Sequence, residues 1–447
     1  MAQPYYYIFR RLAGRRLTLY DTGMRDKDTL HIMVASALVF FVIGVLAAAI
    51  GPVLPDLAAN TGSTLVEVGS VFSAIFLGGF VAQLLAGPAS DRWGQRPILL
   101  IGLVLCAIGI LGVSMSKSLP LAVASMLLAG FGDGAIIMVL NIMAALVFAS
   151  RSVVVTNLLN VFFGVGAIAG PAFAGYALAT WGTGLPILWV TGVLLFAVVP
   201  YVARLRIPAY TAPAPKEGTE ARGTSVYGSP LLWAIGVLLM LYVGSEIGTG
   251  GWTATYIART TTLGVEAGAL ITSGFWLSLT GGRILAALLG RWARADTVLL
   301  GSLGGVFVGA LLLTLSAGNV AVTIAALVIL GLSFGPVYPT VITLVTATFR
   351  QGPGKAAGVV VAMGSIGGMV LPWLQGVLLE GIGPRASATL VAGSALTMLA
   401  LYVAARLPML RRSFGALVPG RRKASMATPL AQGLPENTLP VQRRPES

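Results

Sequence analysis

Fifteen Asp and Glu residues stand in a chain of 447, and two of them, Asp133 and Glu246, interrupt long apolar runs. At 1.5 Å per residue, Asp133 lies ~20 Å along its run from Pro120, and Glu246 ~24 Å along its run from Pro230. Both depths fall near the middle of a hydrocarbon layer ~30 Å thick. A carboxylate there costs ~2.5 kcal/mol or more unless it is paired or faces water. Such a group either takes up and releases a coupling ion, or it sits in a fixed hydrogen-bonded contact between helices. Arg283 is the deep basic residue. It suits a counter-ion to either carboxylate, an anchor for an anionic solute, or a structural ion pair. Asn141, Asn157, Asn160, Trp252, Tyr256, Tyr338 and Gln375 are neutral groups able to hydrogen-bond to a polyol or stack on it. Trp252 equally suits an interfacial belt.

The elements that position these groups follow from composition. Only 10% of residues are charged and 56% are apolar, against roughly 25% and 45–50% in soluble domains. The mean hydropathy is +0.89. The 57 glycines and 24 prolines fall mostly inside apolar stretches, which lipid tolerates because neighbouring helices re-satisfy the backbone. Twelve apolar runs of about 20 residues each predict twelve membrane-spanning helices. The expected class is an all-α integral membrane protein, and a soluble enzyme is excluded.

Charge orients the spans. Of 29 Lys and Arg residues, only Lys117, Arg259 and Arg385 fall on the odd connections. The remaining 26 lie at the termini, on the even connections and at the helix ends beside them, so both termini are expected in the cytoplasm and the protein in the plasma (inner) membrane. The net charge of +14 is therefore a topology signal, and no nucleic-acid partner is expected. The tail residues Arg421, Arg422 and Lys423 are placed to touch anionic lipid, at about 1 kcal/mol each. The first 29 residues hold Arg10, Arg11, Arg15 and Arg16 but no apolar core of a secretory signal. The expected organisation is a cytoplasmic segment over 1–29, a six-helix bundle over 30–206, and a Pro-, Gly- and Thr-rich linker over 207–229. A second six-helix bundle covers 230–406, and a disordered tail covers 407–447.

The two halves align on each other. Adding 201 takes Gly130, Gly134, Gly166, Pro171 and Gly175 to Gly331, Gly335, Gly367, Pro372 and Gly376, and adding 203 takes Gly78, Gly79 and Gly87 to Gly281, Gly282 and Gly290. Two six-helix pseudo-repeats, with a solute site between them, are the organisation of a secondary transporter.

The connection after the second span reads Gly87-Pro88-Ala89-Ser90-Asp91-Arg92-Trp93-Gly94-Gln95-Arg96-Pro97. It resembles the signature loop of the major facilitator superfamily, with Gly87, Asp91, Arg92, Gly94 and Arg96 at the motif positions. The resemblance implies a cytoplasmic gate in which Asp91 meets the start of the eleventh span near Lys355 to Gly358. A carboxylate is favoured against such a helix N-terminus. It also implies that the first, fourth, seventh and tenth helices line the cavity, which puts Asp133 and Glu246 on cavity-forming elements.

Two further strings refine this. One is Tyr242-Val243-Gly244-Ser245-Glu246, Gly250-Gly251-Trp252, Tyr256, Thr272-Ser273-Gly274-Phe275-Trp276 and Gly282-Arg283. The other is Asn157-Leu158-Leu159-Asn160, Phe163 to Ala167 and Gly170-Pro171. They resemble the branch holding fucose permeases and sodium-dependent glucose transporter-like proteins, which implies a sugar-like or other polar solute coupled to H+ or Na+. The chain departs from the permeases at Ile137, where they carry a glutamate four residues before Asn141. It also lacks their aspartate in the first span, so their proton site is not carried over. Gly166, Gly170, Pro171 and Gly175 resemble the Gly-Pro motif of proton-coupled drug antiporters, with Ala174 at its penultimate glycine. With Pro372, they also read as packing and hinge positions.

Other motifs fail. Gly352-Pro353-Gly354-Lys355 lacks the flanking residues of a phosphate loop, since Phe349 and Ala356 stand there. Gly164 to Ala169 matches a dinucleotide fingerprint in letters alone, inside a membrane span. One cysteine and one histidine, His31, give no Cys/His metal site, and no cofactor or metal is expected. The expected function is a monomeric secondary active transporter that moves a small polar solute by alternating access. The alternatives are a proton-coupled exporter of drugs or amphipathic compounds, and a non-transporting receptor or scaffold.

Overall fold

The computed structural model of the protein describes residues 26–147, 152–205, 207, 226–289, 292–316, 318–349 and 353–417. Among them all regular structure is helical. The chain runs α1 (Asp26–Thr61), α2 (Ser70–Trp93), α3 (Gln95–Met115), α4 (Leu119–Val147), α5 (Ser152–Trp181) and α6 (Pro186–Arg204), then α7 (Pro230–Thr260), α8 (Val265–Leu289), α9 (Ala295–Leu315), α10 (Val320–Phe334), α11 (Val337–Thr348), α12 (Pro353–Gly381) and α13 (Pro384–Leu417). A one-turn helix, Leu65–Val68, precedes α2, and its Thr64–Glu67 capping box fixes where it begins.

Eleven stretches among the described residues are long and apolar enough to cross a membrane. The eighth expected span, α8, is not one of them despite its 25 residues. Thr272, Ser273, Ser278, Thr280 and Arg283 lower its hydropathy. It nonetheless packs inside the bundle against α5, α7 and α10. The tenth expected span is two helices, α10 and α11, because Pro336 follows Gly335 at its middle and a proline cannot continue the ladder unbroken. The expected connection at 87–97 is mostly helix. α2 continues to Trp93, and the reversal is a single residue, Gly94, at φ +85°. Only glycine adopts that value without strain.

The described residues through Ala405 form one compact unit, and the described residues from Arg406 belong to a second. α13 extends to Leu417, past the bundle end expected at 406. The expected segment 1–29 up to residue 25, most of the linker and residues 418–447 lie outside the described residues.

Glycines set the helix contacts, and they set them twice. Gly130 and Gly134 of α4 lie on the backbone of α2 at Ile75 and Gly79, and Gly331 and Gly335 lie on the backbone of α8 at Phe275 and Leu279. Gly166 of α5 lies on Phe41 of α1, as Gly367 of α12 lies on Met240 of α7. A Cβ at any of these six positions would overlap a main-chain atom. Both members of each contact thus repeat at nearly the same offset, so the pseudo-repeat is a repeat of packing.

The halves meet at the end remote from Gly94. Gly51 of α1 lies against Gly251 of α7, and the Phe72 ring sits 6.2 Å from that of Trp252. Ser73 Oγ donates to the Met369 carbonyl at 2.6 Å. Gly175 of α5 packs on Glu266 and Ala269 of α8.

In Gly367→Ala, the added methyl enters the Met240 carbonyl, and overpacking of this kind costs about 1–3 kcal/mol. The apparent Tm of the purified protein should fall. Gly301→Ala, where nothing lies within 4 Å of the new Cβ, should leave it unchanged, and equal Tm values for the two variants would contradict the packing account.

Candidate functional site

Three residues on two helices, α7 and α8, make the charged centre. Glu246 of α7 is buried, and its Oε1 stands 3.7 Å from Arg283 Nη2 of α8. Tyr242, one turn before Glu246 and fully buried, lies beside both members. α8 can approach α7 here because Gly268 lies on the Ala254 backbone and Gly250 on the Trp276 ring. The arginine keeps about a quarter of its side chain exposed, 26% against 9% for the glutamate.

The exposed part of Arg283 faces a cleft of about 390 Å³. Its walls are Asn157 and Asn160 of α5, Arg283, Ala286 and Ala287 of α8, the start of α9, and Tyr338, Pro339, Thr340 and Thr343 of α11. It therefore lies between the two halves, toward the end bearing Gly94. Asn160 spends one N–H on the Thr156 carbonyl at 2.9 Å, which leaves its amide oxygen as an acceptor. Alanines at 286 and 287 and the break at Pro336 give the cleft its room.

Four of the expected groups are thus brought together: Arg283, Asn157, Asn160 and Tyr338, with Glu246 behind them. Others are not brought to the cleft. Trp252 Nε1 donates to the Pro372 carbonyl at 2.7 Å, so this ring is a buried tie between α7 and α12. The Tyr256 hydroxyl donates to the Leu313 carbonyl of α9 at 2.8 Å. Gln375 is buried against Gly248. Asn141 is exposed and donates to the Ile137 carbonyl of its own helix at 2.9 Å. Asp133 is not paired with Arg283; its Oδ1 is buried and makes no hydrogen bond. Gly166 and Gly170 rest on α1 and Gly175 on α8, so the glycine string of α5 is a packing surface around Pro171. Tyr242, Thr340 and Thr343 were not anticipated, although spacing could have found them. Tyr242 is four residues before Glu246 on one helix face, and Thr340 and Thr343 follow Tyr338 on the same helix.

The sequence profile of the Major Facilitator Superfamily matches residues 36–353. The chain belongs to this superfamily. It is 27% identical over 375 residues to sodium-dependent glucose transporter 1 of Danio rerio, covering 76% of this chain and 63% of that protein. It is 30% identical over 180 residues to the uncharacterized MFS-type transporter YdgK of Bacillus subtilis (strain 168), covering 39% of this chain and 44% of that one. The crystal structure of a mutant of the nucleoside transporter NupG shares the fold, with a TM-score of 0.69 at 14% identity over 85% of this chain and 99% of that chain. The Danio rerio and Bacillus subtilis relatives are both named as transporters.

The superfamily motif occupies the last turns of α2 and the first of α3. The Arg96 guanidinium donates to the Ala203 carbonyl in the last turn of α6, a favourable place for a cation. Gly87 lies against Met138 of α4. Asp91 and Arg92 are exposed, and Asp91 forms no hydrogen bond or ion pair among the described residues. The expected contact with Lys355 to Gly358 is not made, which agrees with a cleft that is open toward this end.

Removing one member of a buried pair leaves the other uncompensated. Glu246→Gln and Arg283→Gln should each lower Tm, and the double replacement should lose less than the sum of the two. Strictly additive losses would show that the two side chains do not stabilise each other.

Proposed function

We propose that the protein is a secondary active transporter that moves a small polar solute, sugar-like or otherwise organic, by alternating access coupled to H+ or Na+. The observation that carries this is the cleft between the halves in which Arg283, neutralised by buried Glu246, meets two asparagines, a tyrosine and two threonines. An ion-paired wall with amide and hydroxyl groups favours a neutral, hydrogen-bonding solute over a strongly charged one. The Danio rerio relative, named as a sodium-dependent glucose transporter, supports the same class.

The end bearing Gly94, Arg92, Arg96 and Arg204 is cytoplasmic in this reading, and so are both termini, as the distribution of Lys and Arg favours. The conformation is then open inward and shut outward. Rocking the halves would close Asp91 against the start of α12 and part the contacts at Gly51, Phe72 and Ser73. Glu246 and Asp133 are the groups for ion coupling, since each is a carboxyl deep in a span.

Proteoliposomes test this. Glu246→Gln and Asp133→Asn keep side-chain volume but cannot titrate. In the variant of the coupling residue, accumulation driven by an imposed pH or sodium gradient should vanish while solute exchange persists. Exchange needs only the loaded carrier to reorient, whereas accumulation needs the ion to load and unload in every cycle. Accumulation by both variants would exclude both residues from coupling, and absence of any flux in the wild type would leave a scaffold. Asp91→Asn should insert normally yet slow transport, with cysteines on the cytoplasmic ends of α5 and α12 becoming more reactive. Unchanged rate and reactivity would dismiss the latch.

A further inference from the structure

A second cavity, of about 310 Å³, lies at the opposite end of the second half, away from the cleft. Its walls are Tyr256, Arg259 and Thr260 at the end of α7, Gly318 before α10, and Ile382, Gly383, Pro384 and Arg385 at the turn into α13. Glycine shapes two of these walls. Gly318, at φ +86°, leaves no space for a Cβ beside the Thr260 carbonyl, and Gly383 turns the chain at φ +125°.

The charge in this cavity is unusual. This end of the bundle carries three basic residues on its connections, Lys117, Arg259 and Arg385, and two of the three line one concavity. Arg259 is held 2.5 Å from Glu380. Arg385 is exposed and has no ion pair among the described residues. It also stands in the first turn of α13, a 34-residue helix with no acidic residue in that turn. The N-terminal end of a helix dipole is positive, so a cation there is disfavoured unless an anion lies nearby. An unpaired guanidinium at a helix start and a second arginine therefore converge on one hollow. Arginine pairs with carboxylate or phosphate in a two-pronged geometry.

We propose that this cavity is an anion-binding site for a phosphate or carboxylate group, with Arg385 as its principal ligand and Arg259 beside it. It is distinct from the cleft at Arg283 and does not depend on the transport reading. The same headgroup chemistry could be presented by a free solute or by a phospholipid of the facing leaflet.

The full-length protein in detergent is titrated with sodium phosphate, and with sodium chloride at matched ionic strength. Phosphate should raise Tm in a saturable way beyond chloride. Arg385→Gln, an exposed change that leaves Arg259–Glu380 intact, should lose that rise, Arg385→Lys should restore part of it, and Glu246→Gln should keep it. In nanodiscs, a lipid source predicts that phosphatidylglycerol, and not phosphatidylcholine, stabilises the wild type but not Arg385→Gln. A free-solute source predicts that phosphate stabilises equally in both lipids. If neither phosphate nor phosphatidylglycerol gives a saturable rise, or if Arg385→Gln responds as the wild type does, the site does not exist.

Discussion

Helices in hydrocarbon gain nothing by hiding apolar side chains from one another, since lipid is as apolar as leucine. They hold together by close packing. Everything else in this bundle depends on that constraint. Where α1 meets α5, α2 meets α4, α7 meets α12 and α8 meets α10, a glycine lets backbone reach backbone. Each half becomes a stiff unit, because these contacts leave no slack to slide in. Motion is then left to the surface between the halves, where the cleft at one end and the contacts of Gly51, Phe72 and Ser73 at the other differ in kind.

That stiffness decides what a charge can do. Glu246 is carried on α7 into a place with little water, and Arg283 on α8 meets it at 3.7 Å. The pair is uneven. The glutamate is buried, while the arginine shows part of its guanidinium to the cleft with Asn157, Asn160 and Tyr338. Under the proposed function, a solute that engaged Arg283 would compete with Glu246 for it, which would tie binding in the cleft to the ionic state of the carboxyl through one side chain. Asp133 lacks such a partner and lies near Cys106 of α3, within the first half rather than at the joint.

Much of this was legible in the sequence, and the limits have physical reasons. The spans, the pseudo-repeat and the deep positions of Glu246, Asp133 and Arg283 follow from hydropathy and glycine spacing, which are local or periodic signals. The pairing of Arg283 with Glu246 rather than Asp133 was not legible, because it depends on which faces α7 and α8 turn to each other. Trp252, Tyr256 and Gln375 carry the chemistry of a solute site but are consumed by Pro372, Leu313 and the space at Gly248. Residue type reports what a group can do, and only packing reports whether it is free to do it. The hydropathy of α8 was lowered by Arg283 of the cleft and by hydroxyl residues that bond to their own helix, such as Thr272, Ser278 and Thr280, and the break at Pro336 was hidden within an apolar run.

Alternating access between two stiff halves is the central claim, and distance measurement by spin labels tests it most directly. Cys106 is buried and is the one cysteine of the chain, so a Cys106→Ala background accepts label pairs. One pair, Ala59→Cys with Thr262→Cys, spans the shut end, and a second, Lys27→Cys with Thr297→Cys, spans the open end; all four positions are exposed. In nanodiscs each pair should give two distance populations. Changes of pH, sodium or transported solute should shift them in opposite senses, the shut end widening as the open end narrows. A single distance at each end, unmoved by any of these conditions, would contradict the account.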